Sequence, residues 1–309
     1  MLDLILDSLR VVSLPTKTNF RGVDHREVAL FEGPQGWAEF SPFLEYSDEE
    51  CAPWLACAIE AATVPIPHLF RSTIAVNATL PALNGEGEIS RILSAFPGCT
   101  TIKIKVGQNK DEDLARIATV RTIAPDAKLR IDVNGLWNVD QATNFLELCG
   151  EIEYVEQPCA TTAELRELKS RVNVKIVGDE ILRKSENPFE VELEGAVDIL
   201  MLKVQPLGGI ARAMKLAEHH QLPVVVSSAL ESAVGISYGL KLAAALPNLD
   251  FACGLATGSL LVSNLGELAI IDGAIAVNDV VPNFSGLDVS ADRYEWWKNR
   301  IMRTASLLG

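Results

Sequence analysis

The sequence predicts an α/β protein, a parallel (β/α)-barrel preceded by a smaller α+β N-terminal domain. The first observation is that five apolar, β-rich runs each end in charge: TIKIKV (Lys103, Lys105), LRIDVN (Asp132), IEYVEQP (Glu156), VKIVGDE (Asp179) and VDILMLKV (Lys203). From Lys105 the charges recur at steps of 27, 24, 23 and 24 residues. One strand–helix unit has that length, since eight-unit barrels run to ~200–250 residues. A second observation is that helical stretches lie between the runs, and alternation of strand and helix implies a parallel sheet. The third is that the runs are almost uninterruptedly apolar, as in a sheet buried on both faces.

Residues 1–70 have a different grain and are expected to form a capping domain. VVSLPTKTNF, REVALFEGP and GWAEFSPF alternate apolar and polar residues around Gly33, Pro34 and Gly36, which predicts an antiparallel meander. SDEECAPWLACAIEAA reads as a helix capped by Ser47 or Asp48, with acids in its first turn. Pro65 and Pro67 in VPIPHLF stop it. The barrel is expected over 71–264. Its eight strands are STIAVNAT, TIKIKVG, LRIDVNG, IEYVEQP, VKIVGDE, VDILMLKV, LPVVVSS and DFACGLAT. Helices fall at DEDLARIATVRTI, VDQATNFLELCG, TAELRELKSRV and IARAMKLAEHH. From about 265 to 309 the chain is expected to rejoin the capping domain, through a hairpin in GELAIIDGAIAVND and a closing helix in DRYEWWKNRIMRTASLL.

Composition narrows the partners. The chain has 309 residues, 48% hydrophobic, with 27 basic against 41 acidic residues and a net charge of −14. With no basic block, nucleic acid and anionic membranes are not expected partners, and no protein partner is inferred. A metal or lysine field inside a cleft still allows a small anionic substrate. MLDLILDSLR has acids where a secretory leader has lysines, and no run reaches ~18 apolar residues, so a cytoplasmic protein is expected. The six cysteines form no C-x-x-C pair and read as reduced, mostly buried thiols. His219 and His220 close a predicted helix, where a cation suits the dipole.

In a parallel barrel the C-terminal strand ends form the active-site rim. Asp132, Glu156 and Asp179 on consecutive strands are an oxygen donor set for a hard divalent cation. One such acid is often a cap or a surface charge, but three at a matching period are harder to explain that way. Lys103 and Lys105 share one side of a strand, and Lys203 comes from roughly the opposite wall. Lysine is almost never buried without a partner. Beside a cation it can act as a base, so the set points to proton abstraction next to a carboxylate. A Schiff-base lysine would not need the three acids.

Taken together, K-x-K, D-x-N (Asp132, Asn134), E-x-P (Glu156, Pro158), D-E (Asp179, Glu180) and the later Lys203 resemble the enolase superfamily, and its muconate-lactonizing subgroup most. The resemblance covers essentially the whole chain. It implies a modified TIM barrel with an N-terminal capping domain, and Mg²⁺ (or Mn²⁺) held by Asp132, Glu156 and Asp179. It also implies Lys105 as base, Lys203 on the other face of the substrate, and Lys103 beside its carboxylate. NFRGVDHRE, GWAEFSPFLEY, GDEILR and VVSSALESAVGI resemble a dehydratase branch of the subgroup. Relatives with similar motifs racemise N-acylamino acids or epimerise dipeptides, which is the alternative. Asn134, Ser227 and Ser228 are expected at the substrate, the serines at its tail. Arg21 meets a substrate carboxylate or pairs on the surface. GLATGSL, without a lysine, reads as a substrate-side loop rather than a phosphate cradle.

Overall fold

In the computed structural model, residues 2–20 and 22–308 are described. Arg21, a candidate for substrate contact, lies outside them. Helix α1 (Leu2–Ser8) leads into a meander of β1 (Arg10–Phe20), β2 (Val23–Gly33) and β3 (Gly36–Phe40) in that order. Helix α2 (Asp48–Thr63) follows, started by a capping box between Ser47 and Glu50. The meander is buried on both faces. Val11, Ala29 and Phe31 join a cluster with Trp54 and Leu55 of α2, whereas Val12, Val28 and Leu30 pack into the barrel's core. Period-two alternation therefore divides two apolar sets between two neighbours.

Beyond α2 come β4 (Thr73–Ala75), β5 (Ala78–Leu80), α3 (Glu86–Leu93), β6 (Thr101–Lys105), α4 (Lys110–Ile123), β7 (Lys128–Asp132), α5 (Val139–Leu148) and β8 (Tyr154–Glu156). Then follow α6 (Thr162–Arg171), β9 (Ile176–Gly178), α7 (Glu180–Arg183), β10 (Ile199–Lys203), α8 (Ile210–His220), β11 (Val224–Ser227) and α9 (Ala233–Ala245). Strands β5 to β11 form one parallel sheet in sequence order. Asn109 caps α4, and capping boxes at Asn138 and Thr161 start α5 and α6. Each satisfies amides that a helix start leaves unpaired.

Two strand expectations need correction. STIAVNAT divides: β4 pairs antiparallel with a late hairpin, and only β5 enters the barrel. The expected eighth strand shrinks to parallel bridges, Cys253 with Val76 and Gly254 with Ser227, which join the two edges of the sheet. Gly254 permits this approach, because a side chain there would strike Ser227 Oγ. The hairpin of β12 (Ile270–Ile271) and β13 (Ala274–Ala276) pairs with β4 rather than with the meander. The closing helix α10 (Ala291–Ser306) buries Trp297 and Ile301 in the α2 cluster. All residues of α9 except Lys241 are buried. No helix among the described residues is long and apolar enough to cross a membrane.

Candidate active site

Side chains alternate along a strand, so each barrel strand sends every second residue inward. Residues at the strand ends form an upper layer: Lys105 on β6, Asp132 on β7, Glu156 on β8, Asp179 just past β9, Lys203 on β10 and Ser227 on β11, and the side chain of Lys103 reaches up into it from one step lower on β6. Register puts Lys105, Asp132 and Glu156 side by side on three adjacent strands. Two residues earlier on the same strands, Arg130, Tyr154, Val177, Met201 and Val225 form the layer beneath. Tyr154, Val177, Met201 and Val225 belong to an apolar cluster of their own, and the Arg130 guanidinium stacks on Tyr154 at 4.5 Å.

The structure brings all six expected lysines and acids together. Lys105 Nζ is 3.0 Å from Asp132 Oδ2. Lys103 donates to Glu156 Oε2 at 2.7 Å and lies 3.4 Å from Asp132. Lys203 donates to Asp179 Oδ2 at 2.5 Å and lies 3.9 Å from Glu156. Lys105 is the most open of the three, its side chain 19% exposed against 8% and 9% for Lys103 and Lys203.

Burial works against every charge here, and the neighbours decide the outcome. Burial lowers the Lys103 pKa, but Glu156 and Asp132 overcome it and hold the ammonium above its usual range. Burial raises that of Asp132, but Lys105, Lys103 and Lys203 prevail and keep it low. Asp179 is likewise held low by Arg183 and Lys203 against its burial. Glu156, in the middle, is pushed up to about 7, first by burial and then by the Asp132 carboxylate. Three crowded carboxylates thus leave the central one short of positive charge.

Among the described residues no three acidic, histidine or cysteine side chains are gathered as a metal cage, because the carboxylates face lysines instead. The residues nevertheless fit a divalent cation. Asp132 Oδ1 and Glu156 Oε1 are buried and accept no hydrogen bond. Unpaired buried carboxylate oxygens are costly, and a hard cation satisfies them.

Sequence reasoning did not single out Arg183, Phe43, Thr79 or Ala229, which line the cleft together with Thr257 of the expected substrate-side loop GLATGSL. Arg183 donates to Asp179 Oδ1 at 3.0 Å, Glu180 Oε1 at 2.5 Å and Tyr46 Oη at 3.1 Å. Its spacing from Asp179 and Glu180, four and three residues along one helix, was the available signal. Asn134 lines the cleft with its amide committed to Glu180 Oε1 at 3.0 Å. Ser228 Oγ donates to Gly254 O at 2.6 Å and sits 2.8 Å from Thr257 Oγ1, while Ser227 is buried beside them. Glu231 turns away from the cleft and accepts from Ala229 N.

The free volume above the charges is only about 40 Å³, because the lysines fold down onto the acids. A larger groove of about 1020 Å³ lies between the end of α2 and α8. Its Glu60 accepts from Ile210 N and Tyr238 Oη, so that carboxylate is committed to capping α8. Three lysines interleaved with three buried carboxylates line the small cleft, which makes it the candidate for chemistry.

Family models for an enolase N-terminal domain-like unit and an enolase C-terminal domain-like unit match residues 11–62 and 91–294. The chain is 48% identical to an o-succinylbenzoate synthase of Mycobacterium marinum, covering 98% of this chain and 95% of that protein. It is 45% identical to one of Mycolicibacterium smegmatis, covering 99% and 98%. Among solved structures, muconate lactonizing enzyme from Pseudomonas fluorescens superposes with a TM-score of 0.75 at 19% identity, over 94% of this chain and 97% of that one. N-succinyl Arg/Lys racemase from Bacillus cereus gives 0.74 at 20%, over 93% and 96%. At those identities the structural likenesses bear on the fold alone.

Proposed function

The chain belongs to the o-succinylbenzoate synthases of the enolase superfamily, and from that premise we propose how its cleft works. It is a lyase that dehydrates 2-succinyl-6-hydroxy-2,4-cyclohexadiene-1-carboxylate to o-succinylbenzoate in menaquinone biosynthesis. The observation that carries the division of labour is the row Lys105–Asp132–Glu156–Asp179–Lys203, with an amine at each end of three acids.

Lys105, the most accessible amine, takes the proton α to the ring carboxylate. The C–H electron pair moves into the carboxylate to give an enediolate. That pair then returns to form the new ring double bond, expelling the hydroxyl, which leaves as water with the proton from Lys105. Aromatisation drives this second step. Lys203 faces the opposite side and stabilises the enediolate's charge. Lys103 adds positive charge beside the carboxylate. Asp132, Glu156 and Asp179 would hold Mg²⁺, or Mn²⁺ in its place. When bound, the cation would neutralise the acids, polarise the substrate carboxylate and disfavour protonation of nearby lysines. Four cationic side chains, counting Arg183, now balance four acidic ones, counting Glu180. A divalent cation tips that balance toward a substrate with two carboxylates. Ser227, Ser228 and Thr257, which line the cleft, would hold the succinyl tail. We also place the enzyme in the cytoplasm, in keeping with six free thiols, five of them buried.

The test is a product assay with Mg²⁺ present and after chelation. Mg²⁺-dependent appearance of the aromatic product is expected. Loss of optical activity from N-acylamino acids without dehydration of the diene would overturn the reading.

A further inference from the structure

Arg26 takes no part in the chemistry above, yet its guanidinium ties together two walls of the cleft. It lies on β2, in the N-terminal sheet, and is 2% exposed. Toward its own domain it donates to Ser41 O and reaches Pro42 O at 3.5 Å, and its flat face lies 4.4 Å over the Phe43 ring. Toward the barrel it donates to Leu230 O at 3.2 Å and reaches Ala229 O at 3.5 Å. Phe43 and Ala229 both line the cleft, as does Ser228 next to Ala229.

The barrel side of this contact is a constrained turn. Leu230 has a φ of +64°, a conformation that a branched side chain rarely adopts. Such strain persists only where surrounding bonds over-determine it. Here Glu231 accepts from Ala229 N at 2.6 Å, and Glu39 of β3 accepts from Ser232 N at 3.2 Å and Gly235 N at 2.9 Å. Glu39 and Glu231 lie close enough to oppose, without overcoming, the cost of burying the guanidinium. A carbonyl cluster from two domains around one planar donor suits arginine's fixed fork and does not suit lysine's point charge.

We propose that Arg26 is a positioning residue that sets the width of the substrate cleft. It pins the barrel turn at residues 228–230 to the wall at residues 41–43, so that the hydroxyl of Ser228 and the ring of Phe43 meet the substrate at a fixed separation. The proposal rests on the cleft being the substrate site. Because it concerns ground-state binding and not proton transfer, its signature is a rise in KM with kcat retained.

The experiment compares Arg26→Lys and Arg26→Gln with wild type in steady-state dehydration, alongside thermal unfolding and a Mg²⁺ titration of activity. Folded variants should show KM raised about ten-fold or more, with kcat within about three-fold, as expected for lost charged hydrogen bonds that shape binding. The Mg²⁺ midpoint should not move, and Arg26→Lys should retain more affinity than Arg26→Gln. Wild-type KM in a folded variant overturns the proposal, as does a loss confined to kcat or to unfolding temperature. If neither variant folds, the same split is measured on Glu231→Ala, which frees the Ala229 amide; an unchanged KM there overturns it equally. Failure of wild type itself to dehydrate the diene would count against the functional reading instead.

Discussion

Lys103 and Arg130 face each other on adjacent strands, both are buried, and they serve different ends of the barrel. Arg130 reaches down. Its Nε donates to Glu153 at 2.6 Å, its Nη1 to Ala252 O at 2.6 Å and Asn77 Oδ1 at 3.1 Å, and its plane rests on Tyr154. Lys103 reaches up, into acids crowded enough to leave two carboxylate oxygens without hydrogen bonds. Burial of charge is therefore not what marks the site. The lower layer offers its arginine one acid, neutral oxygens and a ring. The upper layer sets like charges together beside an opening, and such crowding is what functional sites use to shift pKa values.

The sharpest way to break this comparison is Lys105→Ala. If the upper layer is chemical, kcat should fall by at least ~10²–10⁴-fold, the range of general acid–base catalysis, with an unchanged unfolding temperature. Near wild-type turnover in a protein that still binds Mg²⁺ would remove Lys105 as the base. Asp179→Asn comes next. It keeps the volume and removes a ligand charge, so activity at fixed Mg²⁺ should drop by more than the ~10–100-fold typical of an outer-shell partner. Excess Mg²⁺ should restore part of the rate, and a loss that no concentration of the ion relieves would contradict the assigned role.

The lower layer should behave in the opposite way. Arg130→Met leaves Glu153 without its close partner and two oxygens without donors, at a cost of about 3 kcal/mol in stability. Urea titration reads that loss. The folded fraction should keep kcat/KM within about three-fold of wild type. A large kinetic defect without destabilisation would erase the distinction between the layers.

The cluster of lysines and acids was readable because its members close apolar runs at the repeat of one strand–helix unit. Other parts carried no such mark. Helix α9 is buried on every side except at Lys241, and a helix without a broad polar face has little amphipathic signature. STIAVNAT holds no glycine or proline to mark a break, so nothing in it announces that Thr73–Ala75 pairs with residues two hundred positions later. The last barrel strand is reduced to two bridged residues, one of them a glycine. Arg26, Glu39 and Glu231 lie in three of the stretches that carry the family resemblance, but they meet only through the fold. Arg183 had a further local signal, its helical spacing from Asp179 and Glu180.

Glu231 offers the mildest probe, and it acts through pH. Burial, first, and the nearby Glu39 carboxylate push its pKa up to about 7, while Arg26 pulls the other way. A carboxyl whose folded pKa exceeds its unfolded value near ~4.3 binds its proton more tightly in the folded state. Its contribution to stability is complete below the unfolded value, declines as pH climbs between the two, and is lost above about 7. Glu231→Gln keeps the shape and a carbonyl oxygen for the Ala229 amide, but has no proton to lose. Between pH 4.5 and 7 wild type should therefore lose about 2 kcal/mol relative to the variant, measured by urea unfolding across that range. The effect belongs to the turn behind the cleft and not to the ring of acids, so kcat of Glu231→Gln at neutral pH should stay close to wild type. Parallel stability curves for the two proteins would show that Glu231 is already ionised in the fold at low pH, with Arg26 and not the proton compensating it.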